Sequence, residues 1–156
     1  MTQPRWLDQE QQRHWRSLLE GCWSLFEALG RDLEEAAELS MNEYEVLVRL
    51  SESEDRALRM SALADQVVSS RSRLTHTVRR MESAGLVERR TSCDDGRGVD
   101  CVLTDAGYDR LVAAAPAHVE SVRRRLVDVL TPEQLTAVGE AFERVTLELE
   151  ADHQDE

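Results

Sequence analysis

Apolar residues in this chain fall mostly at spacings of three and four, the period of a helix; only a few short runs alternate as a strand does. Trp15, Leu18, Leu19, Cys22, Phe26 and Leu29 form the first stripe and predict one helix over residues 5–31, with Trp23 beside the stripe. Tyr44, Leu47, Val48 and Leu50 mark a second helix, opened by Ser40 and Glu43 as an S-x-x-E capping box. The polar residues 51–56 read as a loop and residues 58–60 as a short strand. Ser61 is the expected cap of a third helix, whose Leu63, Ala64 and Val67 share one face. Leu74, Val78 and Met81 give a fourth helix, capped by Ser70 and stopped by Gly85. Two extended runs, 86–91 and 99–103, flank Asp-Asp-Gly-Arg-Gly and predict a hairpin. Thr104 caps a long helix reaching about residue 130, with Leu111, Ala115, His118, Val119, Val122, Leu126 and Val129 as its stripe and a bend expected at Pro116. Thr131, Pro132 and Gln134 start a last helix, striped by Leu135, Val138, Phe142, Val145 and Leu149.

Helix, tight turn at 67–69, helix and hairpin together make a winged helix-turn-helix. If the fourth helix buries Leu74, Val78 and Met81, its outward face carries Arg71, Ser72, Thr75, His76 and Arg79. A second helix of this kind lies in the DNA major groove and reads bases near its N-terminus, where Ser70, Arg71, Ser72, Arg73, Thr75 and His76 stand. Arginine suits guanine O6/N7 and phosphate oxygens. Arg97, between two glycines at the hairpin tip, is shaped for a minor groove, with Asp95 placed to orient it or a neighbouring arginine. Helix-turn-helix patterns also serve as buried trihelical cores without nucleic acid; the basic residues on the outward faces favour DNA.

The pieces LADQVVSSRSRLTHTVRRMESAGLVERR, the wing DDGRG and LTDAG directly after it resemble, in that order and spacing, the MarR family of bacterial transcriptional regulators. The resemblance implies a mainly α fold with a small β-hairpin wing (α+β). It implies a winged helix-turn-helix DNA-binding domain over 40–104, intertwined with a helical dimerisation region from 1–39 and 105–156. It also implies a homodimer on a pseudo-palindromic double-stranded operator, usually a repressor, released by a small aromatic or otherwise apolar ligand bound among the first, second and fifth helices. Trp15, Trp23, Tyr44 and Val48 are the candidate ligand residues; packing at a subunit interface is the plainer reading of Trp15 and Trp23, and core that of Tyr44. Trp6 reads as an interface anchor. The family often has Arg where His76 stands and an acid where Arg79 stands, which leaves base preference open. Hydroperoxide-sensing relatives hold a reactive first-helix Cys with two tyrosines. Cys22 and Tyr44 match in part, but Met41 replaces the second tyrosine, so a core thiol fits better.

Charge changes the picture in one respect. The 156 residues carry −12 overall, unusual for a DNA binder. Residues 69–98, however, hold seven Arg against four acids, a local +3 that leaves −15 on the remainder. An acidic body with a basic head repels DNA except at one face and makes binding steep in salt. All 19 basic residues are Arg, Ile is absent and Asn42 is the single Asn, which fits a GC-rich bacterial genome. No apolar run spans a membrane and the N-terminus lacks a secretion signal, so a cytoplasmic location is expected. No P-loop, GxSxG, HExxH or GxGxxG occurs, so neither an enzyme, a cofactor nor a metal is expected. Cys22, Cys93 and Cys101 have no metal spacing and read as free thiols, though Cys93 and Cys101 flank the wing. The rival functions are a winged-helix protein-interaction module and a redox-sensing regulator working through Cys22.

Overall fold

The computed structural model describes residues 4–67, 70–92 and 98–154. The chain forms two compact units, residues 1–118 and 119–156. Among the described residues no helix is long and apolar enough to cross a membrane.

In the first unit α1 (Gln9–Ala37) starts later and runs further than its apolar stripe suggests. Asp8 caps it and Gln11 completes a capping box, a signal hidden among glutamines, and Glu38 ends it in the left-handed region. Only Ala28, Leu29 and Leu33 are buried; Trp15, Leu18 and Phe26 of the stripe lie open in the single chain. α2 (Met41–Glu52) has the Ser40–Glu43 box as expected and buries Tyr44, Val46, Leu47 and Leu50. It takes in two residues of the expected loop, and the rest is a single 3-10 turn, Glu54–Arg56.

β1 (Ala57–Arg59) leads directly into α3 (Met60–Gln66), so Ser61 is not the cap. Arg59 holds the N-cap position while still paired in the sheet with Asp100, which leaves no linker in which Ser61 could turn back on the helix. α4 (Arg71–Ser83) is capped by Ser70, and Gly85 follows it at φ 73°, where a side chain would be strained. β2 (Val87–Thr91) and β3 (Val99–Leu103) pair antiparallel, and β1 adds to β3 to give the order β1-β3-β2. The hairpin is thus a three-stranded sheet, closed by Ser92 N–H donating to Gly98 O at 2.9 Å. Leu63, Leu74, Val78, Met81, Val87 and Cys101 form the centre of the core with α2.

Thr104 caps α5 (Asp105–Val122), accepting from Gly107 N–H at 3.0 Å and donating to the carbonyls of Gly85 and Leu86. The helix continues through Pro116, which has no N–H to give to the helical ladder. Arg110 donates to Ala37 O at 2.7 Å, tying α5 to the end of α1.

In the second unit the α-helical pattern does not last to residue 130: from Arg123 to Val127 it widens into a π turn. Arg123 there ion-pairs with Asp128 at 2.8 Å, and both side chains are more than half exposed. α6 (Pro132–Gln154) opens as predicted, with Thr131 and Gln134 in reciprocal cap bonds, and exposes Val138, Phe142, Val145 and Leu149.

Candidate nucleic-acid interface and adjoining groove

The fourth helix presents its polar side because its apolar side is fully used. Leu74, Thr77, Val78 and Met81 are buried, and Arg71, Ser72, Arg73, Thr75, His76 and Arg79 are all exposed. Ser70 accepts from Arg73 N–H at 3.4 Å and its hydroxyl lies 3.3 Å from that of Ser72. Thr75 donates its hydroxyl to Arg71 O at 2.9 Å, so only its lone pairs face outward. Arg71 reaches Asp65 of α3 at 3.7 Å, an exposed pair of little energetic weight. Arg73 and Arg79 make no ion pair among the described residues. Arg97, Asp95 and Cys93 lie outside the described residues.

Two ion pairs set how this helix is held. Arg80, on its far side, donates Nε to Glu43 at 2.8 Å and Nη2 to Ser40 at 3.2 Å. Glu43, only 7% exposed, therefore serves the cap of α2 and the anchoring of α4 together. Burial works to raise its carboxyl, but hydrogen bonds from Ser40 and Arg80, with the charge of Arg80, hold it below the usual carboxylate range. Glu82 near the end of α4 takes the backbone N–H and the guanidinium of Arg89, binding β2 to the helix. The seven arginines counted in the sequence thus divide: Arg80 and Arg89 brace the head, whereas Arg73 and Arg79 point their charge at solvent.

A groove of 760 Å³ runs along one face of α2. Met41, Glu45, Val48 and Glu52 line it at i, i+4, i+7 and i+11, a spacing visible in the sequence but passed over there. Trp23 and Phe26 of α1, Tyr44, and His118 of α5 complete its apolar part; Asn42, Arg49 and Arg73 complete its polar part. Of the predicted ligand residues the fold brings Trp23, Tyr44 and Val48 together here and leaves Trp15, 50% exposed, elsewhere on α1. The rings of Tyr44 and His118 pack against each other, tilted by 44°, with centroids 4.5 Å apart. Burial raises the Tyr44 phenol and lowers the His118 imidazole, so both stay neutral at pH 7. The Nδ1 of His118 is buried without a hydrogen-bond partner among the described residues. Cys22 is half-buried on α1 and does not line the groove, while Cys101 sits in the core with its thiol pushed up to about 12 by burial, and so stays protonated.

A solvent-facing, arginine-bearing second helix braced against a three-stranded wing defines a winged helix-turn-helix protein of the DNA-reading class. The MarR family model matches residues 39–99. Sco3205 of Streptomyces coelicolor, a MarR family transcriptional regulator solved in complex with DNA, is 43% identical, with 92% of this chain and 90% of that one covered and a TM-score of 0.88. AbsC from the same organism is also 43% identical, over 95% of this chain and 99% of its own, with a TM-score of 0.88. The chain belongs to the MarR family of transcriptional regulators. At 15% identity it shares the fold of Bordetella bronchiseptica BpsR, whose DNA binding is regulated by 6-hydroxynicotinic acid (TM-score 0.77, 92% of this chain and 98% of that one). Among curated proteins none matches.

Proposed function

We propose that this protein is a homodimeric repressor that releases its operator when a small apolar or aromatic molecule enters the groove beside α2. The observation that carries the DNA half is the outward placement of Arg73 and Arg79, without an ion pair among the described residues, on a helix whose opposite side is core. Ser70, Arg71, Ser72, Arg73, Thr75, His76 and Arg79 would occupy the major groove, and Arg97 the adjoining minor groove. Sco3205, bound to DNA, supports this at 43% identity.

The dimer rests on exposed apolar stripes. Trp15, Leu18 and Phe26 in α1, and Val138, Phe142 and Val145 in α6, are each 41–60% exposed in the single chain. Helices from 1–39 and 105–156 would cross a two-fold axis, spacing two reading heads by about 34 Å, one turn of DNA. A ligand in the groove of Trp23, Tyr44, Val48 and His118 need favour the wrong spacing by only a few kcal/mol to release the operator. A cytoplasmic location follows from an operator as target.

Binding to a duplex of the upstream intergenic DNA across a salt series tests the proposal. Tight binding that resists competitor and falls steeply with salt is expected. Failure there and on DNA selected from a randomised pool would leave the winged-helix protein-interaction module as the better account.

A further inference from the structure

Thr75 stands in the middle of the outward stripe of α4, with Arg71 and Arg79 one turn to either side, and all three are exposed. Its hydroxyl is already engaged by the helix, donating to Arg71 O at 2.9 Å. We propose that Thr75 is a specificity-determining residue that reads the 5-methyl group of a thymine with its own methyl, once in each operator half-site. This deepens the DNA half of the reading above and rests on it.

A β-branched side chain in a helix has few rotamers, and threonine uses those that let Oγ1 bond a carbonyl one turn back. With Oγ1 held there, and hydrogen as the third substituent of Cβ, the γ-methyl is the part of Thr75 not tied to the backbone. The oxygen has no proton for guanine N7 and O6, or for thymine O4, unless it gives up that bond. Thymine alone among the bases shows a methyl group in the major groove, so a T·A pair is the partner this surface fits. The neighbouring hydroxyls are engaged too. Ser70 accepts from Arg73 N–H, and its oxygen lies 3.3 Å from that of Ser72. Hydrogen-bond donation from this face therefore falls to Arg71, Arg73, His76 and Arg79. The arginines suit guanine and phosphate, and between two of them the helix sets one apolar contact.

The test starts from a duplex that the full chain selects from a randomised pool. Each thymine of a half-site is then replaced, together with its symmetry mate, by deoxyuridine, which removes the 5-methyl group and keeps the base pairing. The thymine and uracil duplexes are compared on the wild type, Thr75→Val and Thr75→Ser. The ratio of the two affinities on one variant cancels any loss of folded protein. At one thymine per half-site the wild type should bind the uracil duplex about fifteenfold more weakly, the worth of one buried methyl group at each of two half-sites. Thr75→Val, which keeps a methyl and lacks the hydroxyl, should show the same penalty. Thr75→Ser, which keeps the hydroxyl and lacks the methyl, should show none. A penalty retained in Thr75→Ser gives that thymine to another side chain and overturns the proposal. Its disappearance in Thr75→Val overturns it in favour of the hydroxyl. A selected duplex with no uracil-sensitive thymine overturns it as well, while DNA binding stands. If no duplex is selected at all, the DNA reading has itself failed and the inference falls with it.

Discussion

Glu43 accepts from the backbone and hydroxyl of Ser40 and from Arg80, three donors on one buried carboxylate. Removing Arg80 leaves that charge with only local partners. Because the Arg80 side chain is more than half exposed, solvent replaces part of the loss and the cost falls near the low end for a charged hydrogen bond. Arg80→Met should destabilise by about 1 kcal/mol in urea unfolding and weaken operator binding further by loosening the pitch of α4; unchanged stability would show the pair to be incidental. Acid should act in two windows. His118 is held below its ordinary value by burial, so the unfolded chain takes up its proton first and stability falls as pH drops below about 6.5. Glu43 is also held below its ordinary value, so its contribution is complete above about 4.3 and is lost as pH falls through the folded value. His118→Gln should flatten the first decline and Glu43→Gln the second, read from unfolding midpoints across pH; a single decline unaffected by either substitution would refute both assignments.

The junction between wing and α5 depends on one small residue. A Cβ on Gly107 would lie 2.0 Å from the carbonyl oxygen of Leu86 and 2.7 Å from Leu103 Cδ1. The first obstacle is backbone, held by bonds from the N–H and hydroxyl of Thr104, and cannot step aside. Gly107→Ala should cost about 3 kcal/mol or more, the upper end for overpacking. Gly21→Ala in α1, where a Cβ meets open space, should instead stabilise by about 0.5–1 kcal/mol through helix propensity. Thermal melts of the two variants check the pair, and equal shifts would contradict the close approach at Gly107. That contact also explains the glycine of the LTDAG run: the start of α5 must pass against the strand entry, and only a residue without a side chain fits.

With −12 distributed as an acidic body around a basic head, the molecule should bind DNA only through that head and only at modest salt. Arg97→Ala should weaken operator binding and lower the salt slope by about one ion, as for one lost phosphate or minor-groove contact; an unchanged affinity at physiological salt would remove the wing tip from the interface. The apolar stripes of α1 and α6 should make the protein sediment as twice its chain mass. Phe142→Glu, placing a charge in the α6 stripe, should return it to the chain mass and to a melting temperature independent of concentration. A wild type that sediments as one chain would defeat the dimer.

What the amino-acid pattern determined alone was local: the helices, the hairpin, the caps at Ser40, Ser70, Thr104 and Thr131, and the stop at Gly85. Each depends on residues within a turn of one another, where periodicity and hydrogen-bonding chemistry act without help from the rest of the chain. The winged helix-turn-helix followed from their order, and with it the outward face of α4. Tertiary structure decided what local pattern cannot express. Ser61 lost its cap role because β1 pairs with β3 up to the first turn of α3. Glu43 met Arg80 across 37 residues, giving the capping carboxylate a second task. Arg73 came to border both the outward face of α4 and the groove, and Trp15 was separated from Trp23, because groove membership depends on which faces of distant helices meet. That is settled by packing, after the local signals have been used up.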